Sequence, residues 1–184
     1  MKHFDIPQIN TPSYWDTAQT AFDYGLRQQK YSDLSGTGES ICELGCGLSP
    51  FLSKEFMFNQ KVGIDFSTKT IKTARELYPE VDYICADVTN TELPDKYFDV
   101  TVSGEVIEHL EKPELLIEEM VRLTKRRIII STPNLEFDDP EHLWEFSEED
   151  LWNMLSPYGD VSTHMVESNR FKGRKYIFAI CDLN

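Results

Sequence analysis

Seven short apolar runs separated by amphipathic stretches constrain this chain more than any other feature: residues 40–44, 61–65, 81–86, 98–103, 127–132, 161–166 and 176–181. Short, largely apolar runs of this kind mark strands buried on both faces of a sheet. Between the early runs, 50–58, 67–78 and 113–124 read as helices, and connections of that length suit parallel strands with right-handed crossovers. Pro50 and Pro113 suit first-turn positions, and Ser147 followed three residues later by Asp150 resembles a capping box. The last two runs are joined through 167–175 with no helix-length segment, so they are expected to form an antiparallel hairpin at the sheet edge. The pattern is therefore a doubly wound α/β fold with a seven-stranded, mostly parallel sheet. A further helical stretch, 13–29, precedes the first strand and is expected to lie over the ligand crevice.

A chain of 184 residues is ample for one core of sheet and helices and too short for a second substrate domain. The expectation is a single domain, 1–184, with 1–37 as an N-terminal helical cap and 38–184 as the core. No apolar run approaches the length of a membrane span or a signal peptide. The four cysteines, Cys42, Cys46, Cys85 and Cys181, have no paired metal or disulfide spacing, which reads as cytoplasmic with reduced thiols. Net charge is −14; no Lys or Arg occurs from 128 to 169, and 136–150 is densely acidic. Since binding to a phosphate backbone relies on Lys and Arg, this balance favours a small-molecule partner over a nucleic acid.

In open α/β sheets the ligand sits beyond the carboxyl ends of the strands, and the first such end reads ICELGCGLSPF. Gly45, Cys46 and Gly47 let the backbone turn tightly and approach a ligand. Charge separates the possible ligands. A dinucleotide would bring an anionic pyrophosphate, which Glu43 would repel, whereas S-adenosylmethionine brings a sulfonium and an ammonium that a carboxylate suits. Pro50 also breaks the Gly-x-Gly-x-x-Gly spacing. Asp65 ends the second strand in VGIDFS, where a carboxylate can accept from both ribose hydroxyls. Phe66 is placed to cover the adenine. Asp87, after the third strand, can accept from the adenine amino group while the Val88 N–H donates to the ring.

Through ELGCG, GIDFS, ADV, FDVTVSGEVIEHLEKP and IIISTPN, in that order, the sequence resembles the class I S-adenosylmethionine-dependent methyltransferases over residues 41–134. The resemblance implies a Rossmann-like methyltransferase fold and S-adenosylmethionine as cofactor, with S-adenosylhomocysteine as product. It implies that Glu43, Gly45 and Gly47 hold the methionine part, that Asp65 binds ribose, and that Asp87 lies near adenine. Where many members carry a third glycine, this chain has Ser49.

Methyl transfer from a sulfonium is an in-line displacement in which alignment and exclusion of water supply much of the catalysis. A hydroxyl or protonated amine acceptor needs a base, and the candidates follow the fourth strand in SGEVIEHLEKP. Ser103 and Glu105 are assigned to the cofactor side. Glu105, Glu108 and His109 would share one face of a helix there, with His109 the better base and Glu108 its catalytic companion. Asn134, His142 and Tyr14 are assigned to the acceptor, and Trp15, Trp144 and Phe146 are candidates for an apolar wall. No metal ligand is assigned, although Glu105, Glu108, His109 and His142 resemble the two-Glu, two-His set of small-RNA terminal 2′-O-methyltransferases, which would suit Mg or Mn. The function read from the sequence is O- or N-methylation of a small or medium-sized acceptor. The alternatives are metal-dependent methylation of an RNA terminus and a non-catalytic binding module; a nicotinamide-dependent oxidoreductase is disfavoured by Glu43 and Pro50.

Overall fold

The computed structural model describes residues 2–3, 23–48, 51–134, 142–168 and 173–184. Its elements, in chain order, are β1 (Lys2–His3), α1 (Asp23–Ser35), β2 (Gly38–Leu44), β3 (Phe58–Asp65), α2 (Thr68–Leu77), β4 (Asp82–Cys85), β5 (Phe98–Gly104), α3 (Pro113–Leu123), β6 (Thr124–Pro133), β7 (Trp144–Glu145), α4 (Glu148–Leu155), β8 (Gly159–Glu167) and β9 (Lys175–Leu183). Seven strands form one sheet in the order β4-β3-β2-β5-β6-β9-β8, and β1 pairs with β7 apart from it. β4, β3, β2, β5 and β6 run parallel, while β9 is antiparallel to both β6 and β8. The doubly wound sheet and its edge hairpin are thus as the sequence pattern requires.

Alternation along the strands sorts the core onto two faces, because successive side chains point to opposite sides. Cys42, Leu44, Ile128, Ile130 and Ala179 join Leu116 and Met120 of α3 and Leu151 and Leu155 of α4 in one cluster. Ile41, Val100, Val102, Ile129 and Phe178 join Tyr31 of α1 and Ile71 and Ala74 of α2 in the other. Burying each Val, Leu, Ile, Phe or Met side chain among them contributes roughly 1.5–3 kcal/mol. Local signals fix the helix starts: the Ser147 hydroxyl and the Asp150 carboxylate form the reciprocal capping box, Ser67 caps α2, and Pro113 opens α3.

Two expectations are corrected. The helix over 50–58 is a single 3-10 turn, Leu52–Lys54, since Phe51 and Leu52 turn into the core and β3 already begins at Phe58, where it pairs with Gly38. Sheet pairing here overrides local helical preference. The stretch after β5 is also no helix: Glu105 has a left-handed backbone, φ 59°, and Ile107–His109 is one 3-10 turn. Of the helix expected over 13–29, residues 23–29 fall within α1, which runs on to Ser35; residues 13–22, with Tyr14 and Trp15, lie outside the described residues, as do Ser49 and Pro50.

α1 docks through Tyr31, which lies against Phe51 and Phe178 and shares a hydrogen bond with the Ser131 hydroxyl. Gly104 makes this close approach possible, because a Cβ there would overlap the Tyr31 hydroxyl. Gly104→Ala is accordingly expected to destabilise the protein by about 1–3 kcal/mol, the usual cost of overpacking. Urea unfolding monitored by circular dichroism measures it, and an unchanged midpoint would refute the contact.

Candidate active site at the strand ends

The glycine loop leaves β2 with Gly45 at φ 74° and Gly47 at φ 52°, both in the left-handed region that favours glycine. Its amides are anchored to the neighbouring strand, with Gly45 N–H donating to the Ile64 carbonyl at 2.8 Å and Cys46 N–H at 2.9 Å. A Cβ at Gly45 would overlap the Val106 side chain. Beside the loop, Asp65 is buried and accepts from Gly47 N–H at 3.1 Å on one oxygen and from Ser67 N–H at 2.8 Å on the other. Each carboxylate oxygen has a second lone pair, so the group retains acceptor capacity while shaping the loop. Burial pushes the Asp65 carboxyl up, and the two backbone donors oppose that shift. Glu43 is buried at the end of β2. Burial, then the charges of Glu43 and Asp65, push the Cys46 thiol well up.

Phe66 follows and is 54% exposed, a large apolar side chain left at the strand ends. Asp87 is exposed after β4 and shapes its own turn, one carboxylate oxygen accepting from the N–H and the hydroxyl of Thr89. Val88 behind it is buried in the α3 cluster. Ser103 is buried, and its hydroxyl donates to the Leu44 carbonyl at 2.9 Å, tying the ends of β2 and β5.

The two glutamates expected on one helical face are held on opposite sides of the sheet. Consecutive residues of β6 do this: the Ser131 hydroxyl donates to Glu105 at 3.0 Å on the α1 face, and the Thr132 hydroxyl donates to Glu108 at 3.1 Å on the α3 face. Glu105 is further paired with Arg27 of α1 at 2.9 Å, and that guanidinium lies 4.9 Å from the centre of the Tyr176 ring. Glu108 is 1% exposed, and its Oε1, which has no hydrogen-bond partner among the described residues, lies 3.9 Å from His109 Nε2. Burial, and then the charge of Glu105, hold the Glu108 carboxyl well above the ordinary carboxylate range.

His142 arrives from a distant segment that is stitched to the same loop. Leu143 N–H donates to the Glu108 carbonyl at 2.8 Å, and the Trp144 indole donates to the Leu110 carbonyl at 2.7 Å. The His109 and His142 rings meet edge-on at 4.8 Å, and the donor atoms of Glu108, His109 and His142 all lie within 4.8 Å of one another. Glu105, bound to Arg27, is outside this cluster, so the four-residue set suggested by sequence is a set of three among the described residues. Asn134 sits at the end of β6, its N–H donating to the Lys175 carbonyl, and bridges to Phe146. Phe146 is fully buried in the core and so lines no crevice, while Trp144 is partly exposed.

Sequence reasoning missed Arg27, Tyr31, Ser131 and Thr132. Arg27 and Tyr31 have no motif to mark them, but the parity of β6 already placed Ser131 and Thr132 on opposite faces.

Residues 42–130 match the family model described as a methyltransferase domain. A Mycobacterium tuberculosis protein named "Probable S-adenosylmethionine-dependent methyltransferase" is 26% identical over 173 residues, covering 87% of this chain. The chain spans 60% of the length of that relative. Two solved structures share the fold: the N-methyltransferase NodS from Bradyrhizobium japonicum in complex with S-adenosylhomocysteine (TM-score 0.75, 15% identity, 95% of this chain and 99% of that one) and an S-adenosylmethionine-dependent methyltransferase from Archaeoglobus fulgidus (TM-score 0.73, 18% identity, 94% and 100%). With the seven-stranded sheet and the loop geometry, these similarities support a class I S-adenosylmethionine-dependent methyltransferase, with S-adenosylmethionine as the cofactor.

Proposed function

We propose that the protein methylates an oxygen or nitrogen of a small or medium-sized acceptor bound over the ends of β5 and β6. The observation that carries this reading is the convergence of Glu108, His109 and His142 beside the glycine loop's neighbour strand. The cofactor, when bound, supplies a methyl group already activated on a sulfonium. Glu43 faces its ammonium, the backbone of Gly45, Cys46 and Gly47 allows close approach, and Asp65 accepts from the ribose hydroxyls. Phe66 covers the adenine, Asp87 accepts from its amino group, and the Val88 N–H donates to its ring. Ser103, with its hydroxyl tied to Leu44, offers its backbone, and Glu105 acts through its pairing with Arg27.

On the acceptor side, His109 takes the proton that the acceptor loses as its new bond to carbon forms, and His142 and Asn134 orient the acceptor. Glu108, buried against His109, positions the imidazole. Tyr14, outside the described residues, remains assigned to the acceptor. The net charge of −14 supports a small molecule over a long nucleic acid. The reading places the protein in the cytoplasm; among the described residues no helix is long and apolar enough to cross a membrane.

Asp65→Ala is expected to weaken S-adenosylhomocysteine binding by about tenfold or more in calorimetric titration, since charge-assisted hydrogen bonds are lost, while the exposed control Asp82→Ala binds like wild type. Equal affinities would remove the ribose assignment. His109→Ala is expected to leave that affinity intact and slow transfer by about a hundredfold or more, the usual scale for a general base. Unchanged turnover would return His109 to a structural role.

A second reading, metal-assisted methylation of a ribose hydroxyl at an RNA end, is favoured by one observation: two imidazoles and a buried carboxylate within reach of one ion. These donors fit Mg or Mn, which would supply a Lewis acid to acceptor hydroxyls. Titration with either ion distinguishes the readings. A saturable isotherm abolished in Glu108→Ala favours the second, and no isotherm favours the first.

A further inference from the structure

The connection from β4 to β5, residues 86–97, contains no helix. A long connection without regular structure that carries ligand contacts needs support from the scaffold, or its ordering cost falls on binding. That support comes from α3. Glu119, buried on this helix, accepts from the N–H of Thr91 at 2.8 Å and from the Thr91 hydroxyl. Its carboxylate is gripped from the other side by Arg122, with Nε at 2.9 Å and Nη2 at 2.7 Å. Arg122 reaches onward with Nη1 to the Leu93 carbonyl at 2.5 Å and to Asp95 at 2.7 Å. Lys96 donates to the carbonyls of Val121 and Thr124, closing the far end.

The clamped segment is not relaxed backbone. Glu92 (φ 60°) and Lys96 (φ 51°) both occupy the left-handed region, which is unfavourable for a non-glycine residue and persists only where surroundings enforce it. Thr91 directly follows the turn that Asp87 closes with Asn90, and Val88 in that turn sits in the same apolar cluster as Leu116 and Met120 of α3. Fixing Thr91 therefore fixes the turn.

We propose that Glu119 and Arg122 are positioning residues for the adenine end of the cofactor, holding Asp87 and Val88 in their binding shape without touching the ligand. The inference rests on the placement of adenine beside Asp87 in the function proposed above. The pair makes the connection a preformed surface, so base recognition, rather than overall fold, is what its loss degrades.

The test compares the affinities of S-adenosylhomocysteine and its 6-deamino (purine riboside) analogue, which lacks only the purine 6-amino group that Asp87 would contact. Calorimetry is performed on wild type, Asp87→Ala, Glu119→Gln and Arg122→Lys. Wild type is expected to prefer the adenine compound by about tenfold, a hydrogen bond to a charged group. Glu119→Gln is expected to lose most of that preference, as Asp87→Ala does. A merely structural role would weaken both ligands alike, so an unchanged preference in Glu119→Gln overturns the inference. If Glu119→Gln does not fold, Arg122→Lys, which keeps the charge and loses the forked grip, takes its place: a lost preference there supports the inference and an unchanged one overturns it. Loss of preference in Asp87→Ala without loss in Glu119→Gln or Arg122→Lys overturns the inference alone. No preference in wild type removes the Asp87 assignment and the inference with it.

Discussion

Parallel pairing of β2 with both β3 and β5 brings strand ends distant in sequence to a single edge. Everything proposed for the site depends on that constraint. Antiparallel neighbours would have sent alternate ends to opposite edges and left Glu43, Asp65 and Asp87 apart. The cost of the arrangement is a set of crossovers, and the protein meets it unevenly: α2 spans β3 to β4, α1 and α3 shield opposite faces, and the crossover between β4 and β5 is a clamped loop.

The second constraint is the period of two along β6. Ser131 and Thr132 are adjacent, yet one holds Glu105 under α1 and the other holds Glu108 against α3. Two carboxylates close in sequence are thereby given different electrostatic lives. Glu105 meets a guanidinium and stays an ion-pair partner, whereas Glu108 is sealed from water, where the neutral form is favoured. A helix after β5 would have put both on one face with like charges adjacent.

The fold was legible because buried strands leave contiguous apolar runs, and the residues assigned to the cofactor fall at the strand ends because they follow those runs directly. Segment ends were less so. β3 begins at Phe58 and β6 at Thr124, earlier than their apolar runs, because pairing with a neighbour extends a strand through polar residues such as Asn59, Lys125 and Arg126. The local composition around the 3-10 turns at Leu52–Lys54 and Ile107–His109 is that of a helix, and only burial of Phe51, Leu52 and Ile107 against distant strands explains the shorter form. Arg27, Tyr31 and Glu119 act across long sequence separations through single contacts, and no short window of sequence contains such a contact.

Three of the four thiols, those of Cys42, Cys46 and Cys181, are sealed in the core, while Cys85 is exposed at the end of β4. Its sulfur lies 3.4 Å from the Phe66 carbonyl and 3.7 Å from the Thr68 hydroxyl, and its position in the chain is two residues before Asp87, which is assigned to the adenine. Nature has thus left a single addressable attachment point beside the nucleoside end: an alkylating fluorophore would label the folded protein at one place and, without any engineered cysteine, report ligand arrival optically.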